Sequence, residues 1–153
     1  MTRSRKSRRI QKPPLFQRFK PAGVRARTLQ RVVISVDEYE ALRLADCESM
    51  EHKQAAEEMN ISRPTFTRLI EVARKKVAKA IIEGKEIFIE GGFVDFQHNI
   101  FRCVNCGYII QINFNDEFPQ TCPECGSENL INLAQRCGFE RRQGRGHGRK
   151  GFR

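Results

Sequence analysis

No tryptophan occurs in the 153 residues, histidine occurs three times, and no apolar run approaches the roughly 18 consecutive residues of a membrane span. The basic start, MTRSRKSRRIQKPP, is not followed by the apolar core of a secretory signal, and its prolines interrupt any amphipathic transit helix. A membrane or exported protein is therefore not expected, and the cytoplasm is the anticipated compartment. Catalytic signatures are missing too. His52, His98 and His147 share no spacing with one another or with a carboxylate, and there is no phosphate-cradling loop or nucleophile elbow. The expectation is a protein that is not an enzyme. What is present, 39% apolar and 30% charged residues, suits one ordinary domain or two small ones.

Acid is absent before Asp37, so residues 1–36, with eleven Lys or Arg, carry +11. Residues 37–135 are net acidic, and 136–153 are again basic. Inside the acidic middle, Arg63, Arg68, Arg74, Lys75, Lys76 and Lys79 oppose Glu71 alone. Cationic ends around a local basic patch suit a polyanion, because each neutralised phosphate releases condensed counterions. The alternative is that the ends serve solubility alone. The chain divides into a basic arm (1–27), a helical domain (28–92), a cysteine-bearing module (93–135) and a Gly/Arg tail (136–153). Both ends are expected to be disordered. The fold class is α+β.

QRVVISV (30–36) and EIFIE (86–90) read as short strands that pair as a small ribbon. Ser35 with Glu38 forms a capping box opening a helix over about 36–47, with Tyr39, Leu42 and Ala45 on its core face. The following stretch meets the apolar demands of a helix-turn-helix. Ala56 supplies the small contact between the helices, and Ala55, Met59, Ile61, Phe66 and Leu69 are the anchors. Asn60 stands where glycine is usual, and asparagine is the next-best occupant of a left-handed turn position.

Ser62 caps the second helix and Pro64 falls in its first turn, where a missing N–H is harmless. Phe66, Leu69, Ala73, Val77 and Ala80 step around an inward face, leaving Arg63, Thr65, Thr67 and Arg68 outward. Arginine can grip guanine bidentately and threonine can meet thymine or an acceptor, so this face can read base edges in the major groove. Lys53 and Gln54 open the preceding helix and would contact phosphate. For Arg74, Lys75, Lys76 and Lys79 a solvated face is the competing reading.

The runs RRI, FKPAGV, VDEYEALRLAD, QAAEEMNISRPTF, ARKKVA and IEGG resemble an uncharacterised bacterial and archaeal family of small predicted DNA-binding proteins. The helix-turn-helix of that family is similar to region 4 of sigma factors. The resemblance covers about residues 1–92, and FKP, DE-x-EA-x-RL-x-D and SR-x-TF occur in order at the family's spacing. It implies a DNA-binding, regulatory protein. Some members carry a domain similar to those that bind nitrogenase iron-molybdenum cofactor precursors; this chain ends in a cysteine module instead.

In that module Cys103 and Cys106 form one C-x2-C and Cys122 and Cys125 another, a spacing that points to metal. Gly107 and Gly126, each after the second cysteine of a pair, let the backbone curl toward the sulfurs. With GYIIQI and NLINL as strands the layout is a zinc ribbon, structural because four thiolates leave no open position. Iron in a rubredoxin-like site is the competitor, disfavoured by the lack of tryptophan. Disulfides are the less favoured pairing. Cys47 is expected to be a small buried hydrophobe, while Cys137 has no partner in the sequence. The tail, RRQGRGHGRKGFR, would hold phosphates of DNA or RNA without base preference.

These observations together predict a sequence-specific regulator of double-stranded DNA that carries Zn2+. An RNA- or ribosome-associated zinc-ribbon protein and an iron redox sensor are the alternatives. Assembly as a homodimer is left open.

Overall fold

The computed structural model describes residues 6–137. The expected disorder of the Gly/Arg tail falls almost wholly outside them. The expected disorder of the N-terminal arm does not, and within the described residues it is corrected. Two short strands form there, β1 (Arg8–Ile10) and β2 (Arg18–Phe19). The physical reason is partnership across the chain. Ile10 is fully buried, Arg8 pairs with the buried Asp37, and Arg18 lies 2.6 Å from the buried Glu86. A count of cations treats these side chains as solvated, whereas the fold supplies carboxylates beneath them.

β3 (Arg31–Ile34) and β4 (Glu86–Ile89) pair as expected, but in parallel, and β2 adds antiparallel to the far side of β4 in the order β2-β4-β3. Parallel neighbours need a long crossover, here the three helices α1 (Val36–Leu42), α2 (His52–Glu58) and α3 (Arg63–Glu83). On the outward face of this sheet Arg18 and Arg31 flank Glu86, Arg31 at 3.1 Å, and both guanidiniums lie over the Phe88 ring. α1 begins in the predicted capping box, with the Glu38 carboxylate accepting from Ser35 N–H at 3.0 Å. It then passes into a π-helical turn, Arg43–Cys47.

The inward face differs from the expected one: Ala41 and Leu44 are fully buried, while Tyr39, Leu42 and Ala45 pack at the margin of the core. Cys47, at the end of the π turn, is exposed, correcting the expectation of a buried thiol. An i→i+5 turn takes in an extra residue and so shifts the side-chain phase beyond it.

β5 (Val94–Phe96) pairs in parallel with β1, Arg8 opposite Val94. β6 (His98–Cys103), β7 (Ile109–Asn113) and β8 (Leu130–Asn132) form an antiparallel sheet in the order β7-β6-β8, followed by the short helix α4 (Leu133–Arg136). One core joins these parts. Ile10, Ile34, Leu44, Met59, Phe66 and Ile70 meet Val94 and Phe96 from β5, and Ala134 and Cys137 from the end of the chain. The cysteine module is thus held on both sides: β5 precedes it and α4 follows it into the helical core.

The link between helical domain and module passes through Gly91-Gly92. Gly92 has φ +98°, and a Cβ there would lie 2.9 Å from Asp37 Oδ1. Asp37 is buried and already paired with Arg8, so it has little room to retreat. Gly92→Ala combines that clash with a backbone conformation L side chains avoid. We expect about 2 to 3 kcal/mol of destabilisation, read as a lower urea midpoint with unchanged slope.

Candidate metal centre and basic helix face

The two C-x2-C segments fold into matching knuckles. Cys103 N–H donates to Tyr108 O at 2.9 Å and Gly107 N–H returns to Cys103 O at 3.0 Å. Cys122 N–H likewise donates to Ser127 O at 2.8 Å, with Gly126 N–H to Cys122 O at 2.8 Å. Gly107 and Gly126 have φ +77° and +73°, and a Cβ at either would meet nothing within 4 Å. Backbone sign alone asks for glycine there.

All four sulfurs lie within 4.8 Å of one another. Cys103 to Cys125 and Cys106 to Cys122 are each 3.6 Å. A tetrahedron with metal–sulfur bonds of about 2.3 Å has edges of about 3.8 Å, so the donor set fits a single ion. The cysteines are free thiols, without the disulfides weighed as the alternative.

The knuckles bury the first cysteine of each pair and expose the second. Backbone N–H groups of Cys106 and Asn105 lower the Cys103 thiol to about 6. Cys106 goes the other way. Although the Tyr108 N–H favours its thiolate, desolvation and three neighbouring sulfurs push it up to about 12. A cation among the sulfurs would offset the negative charge of thiolates bound to it. Asn105 Nδ2 lies 3.9 Å from Cys125 Sγ, and Phe118 packs edge-on to Phe101 at 5.1 Å, close to the knuckles in sequence.

The basic helix face is built by α2 and α3. Between them Asn60 adopts φ +57°, the left-handed conformation predicted for it. Ala55, Ala56, Met59, Phe66 and Leu69 are buried and Ile61 half-buried against them. Ile70, fully buried, joins this face without having been singled out in the sequence. Ser62 caps α3: its Oγ accepts from Thr65 N–H at 3.3 Å and lies 2.7 Å from Thr65 Oγ1. Thr67 Oγ1 lies 3.0 Å from His52 Nδ1, and the His52 ring meets Phe66 edge-on at 5.3 Å. Ser62, Thr65 and Thr67 therefore fasten the start of α3 to itself and to α2. No short-range pattern announces the pair His52 and Thr67, which lie on different helices.

The cations of α3 divide in two. Arg74 grips Asp46 with two bonds, 2.6 and 3.1 Å, and this contact holds the Asp46 carboxyl below its usual range. Lys76 reaches both oxygens of Glu38 at 2.8 and 2.9 Å. Both cations are therefore already paired within the chain, although Arg74 remains exposed. Arg63 and Arg68 are exposed and form no ion pair among the described residues, and the same holds for Lys53, Lys75 and Lys79. Gln54, also exposed, sits beside Lys53 in the first turn of α2.

Of the other thiols, Cys137 is buried in the common core, and burial pushes it up to about 11, so it stays a neutral thiol. No helix among the described residues is long and apolar enough to cross a membrane.

An α+β core with a tight helix pair, followed by a four-thiolate cluster, defines a small protein with a candidate metal centre and an unpaired basic face. The chain belongs to the family described as Protein of unknown function DUF134, whose model matches residues 1–97. It is similar to a UPF0251 protein of Chloroherpeton thalassium, 50% identical over 133 residues that cover 87% of each chain. A UPF0251 protein of Desulforudis audaxviator is 40% identical over 142 residues, 93% of each chain. One from Clostridium botulinum is 41% identical over 150 residues, covering 98% of this chain and 94% of the relative. These alignments run through the cysteine module as well as the helical part.

Proposed function

We propose that this protein is a sequence-specific DNA-binding transcription regulator of the cytoplasm, acting by binding and not by catalysis. In this reading α2 and α3 are a helix-turn-helix and the knuckle module is a zinc ribbon. The observation that carries it is the division of cations on α3. Arg74 and Lys76 are neutralised from within, while Arg63 and Arg68, in the N-terminal half of the helix, face outward without partners. An unpaired guanidinium on a rigid exposed helix retains its donors for guanine O6 and N7.

Ser62, Thr65 and Thr67 contribute by holding that helix start in place. Lys53 and Gln54, at the start of α2, contact phosphate and set orientation. The four thiolates suit zinc, whose tetrahedral preference needs no open position and whose role is then to close the module.

The test is binding of fragments selected from genomic DNA. Arg63→Ala with Arg68→Ala should erase the preference among sequences, each lost base contact weakening the preferred site by about 1 to 3 kcal/mol. Equal loss on selected and scrambled duplexes would show that these arginines do not read bases. Competition by structured RNA at lower concentration than duplex DNA would favour the RNA-associated alternative.

A further inference from the structure

The N-terminal strand lies against the turn of the helix pair. β1 is fixed by several bonds: Arg8 N–H to Phe93 O at 3.0 Å, Gln97 N–H to Ile10 O at 2.8 Å, and Arg9 N–H to Met59 O at 3.0 Å. The last of these reaches the residue before Asn60. Just upstream of β1, Lys6 Nζ donates to Asn60 Oδ1 at 3.2 Å. Two cations of the basic arm are thus set beside the turn that leads into Arg63.

Neither cation forms an ion pair among the described residues, although the register sets the exposed Asp95 of β5 across from Arg9. Arg8 and Ile10 point inward, to Asp37 and to the core, and alternation along the strand sends Arg9 outward. Arg9 is exposed and has no ion pair among the described residues. The partner of Lys6 is a neutral amide, which leaves the ammonium charge whole. By contrast Arg18 and Arg31 face Glu86, and Arg102 rests on Phe16 and the Leu15 carbonyl.

We propose that Lys6 and Arg9 form a phosphate clamp that grips the duplex backbone beside the groove entered by α3. The inference rests on the DNA-binding reading and deepens it. The two clamp cations neutralise backbone phosphates without reading sequence, so they set affinity and register while Arg63 and Arg68 set preference. Strand pairing with β5 makes the clamp rigid, which reduces the ordering lost on binding compared with a loose basic tail.

The experiment measures affinity of the full chain for a selected duplex and a scrambled one across a salt series. Lys6→Ala with Arg9→Ala should lose roughly tenfold in affinity for both duplexes, and the slope of log K against log salt should fall by nearly two, about 0.9 for each phosphate contact. Arg25→Ala with Arg27→Ala removes the same charge from exposed residues at the short turn Ala26–Thr28, and should leave the slope nearly unchanged. Asn60→Gly removes the internal partner of Lys6 yet suits a positive φ, and should also preserve the slope. Equal slope changes in the two double variants would mean diffuse charge and overturn the clamp. So would loss on Asn60→Gly matching that of Lys6→Ala, which would make Lys6 a staple of the turn. A wild-type chain that binds no duplex defeats the functional reading itself, whereas binding with an unaltered slope in the Lys6/Arg9 variant defeats only this inference.

Discussion

Cys103→Ser combined with Cys122→Ser, or removal of the ion by a strong chelator, is expected to unfold the segment from β6 to β8 and to weaken the entire fold. The two cysteines are the buried members of their pairs, so serine there puts a hard hydroxyl in place of a soft, buried sulfur. The free energy released when a structural zinc binds a small module is about 10 to 16 kcal/mol near neutral pH, and in such modules it is folding free energy. Apolar support around the knuckles is thin: Val104, Tyr108 and Ile109 are exposed, and of the three strands only β6 is well buried.

The loss should spread, because β5 leads directly into β6 and α4 follows β8 into the core formed with Met59 and Phe66. The measurement is thermal unfolding of loaded and stripped protein beside metal analysis. One equivalent of colourless zinc and a single transition that falls on stripping are expected. A visible thiolate-to-iron absorption band in the loaded protein would replace zinc by iron. An unchanged transition after complete removal would mean that the thiols hold nothing the fold needs.

Phe66→Ala carries the second large expected effect. Phe66 is fully buried between α2 and α3, within a cluster that includes Met59 and Ile70, and is met edge-on by His52. Truncation removes the ring and leaves a void that these neighbours fill only in part. A loss of about 4 kcal/mol follows from comparable truncations, which for a domain of this size lowers the melting temperature by roughly 15 °C. The His52 ring loses its edge contact as well, and with it the orientation that meets Thr67. Phe66→Leu keeps much of the volume and should lose far less. If the two variants melted together, the ring would not be what spaces the helices.

How much of this was legible in the sequence depends on the range of each interaction. Asn60 could be placed in a left-handed turn because the requirement is local and few residues tolerate it. The knuckles could be read because cysteine spacing and the glycines that follow state the geometry within five residues. The capping box at Ser35 and Glu38 is equally short-ranged.

β1 and β2 were missed because strands of three and two residues have no period to detect, and their partners lie far along the chain. The basic face was only half legible. Nothing near Lys76 in sequence indicates that Glu38 will accept it, nor that Asp46 will hold Arg74. Cys47 was misplaced for a different reason, since a π turn changes the helical phase without leaving a mark in the residue pattern.

The pairing of β1 with β5 also bears on how the molecule is made. Arg8 is synthesised before all three crossover helices, and its partner Val94 only after them. During elongation β1 can meet the turn of the helix pair first, through Arg9 and Met59, while the edge that pairs with β5 stays open in the meantime. Closing so long a loop is entropically slow, so the complete core forms only after the cysteine-bearing half has followed the helices and brought Ala134 and Cys137 to it.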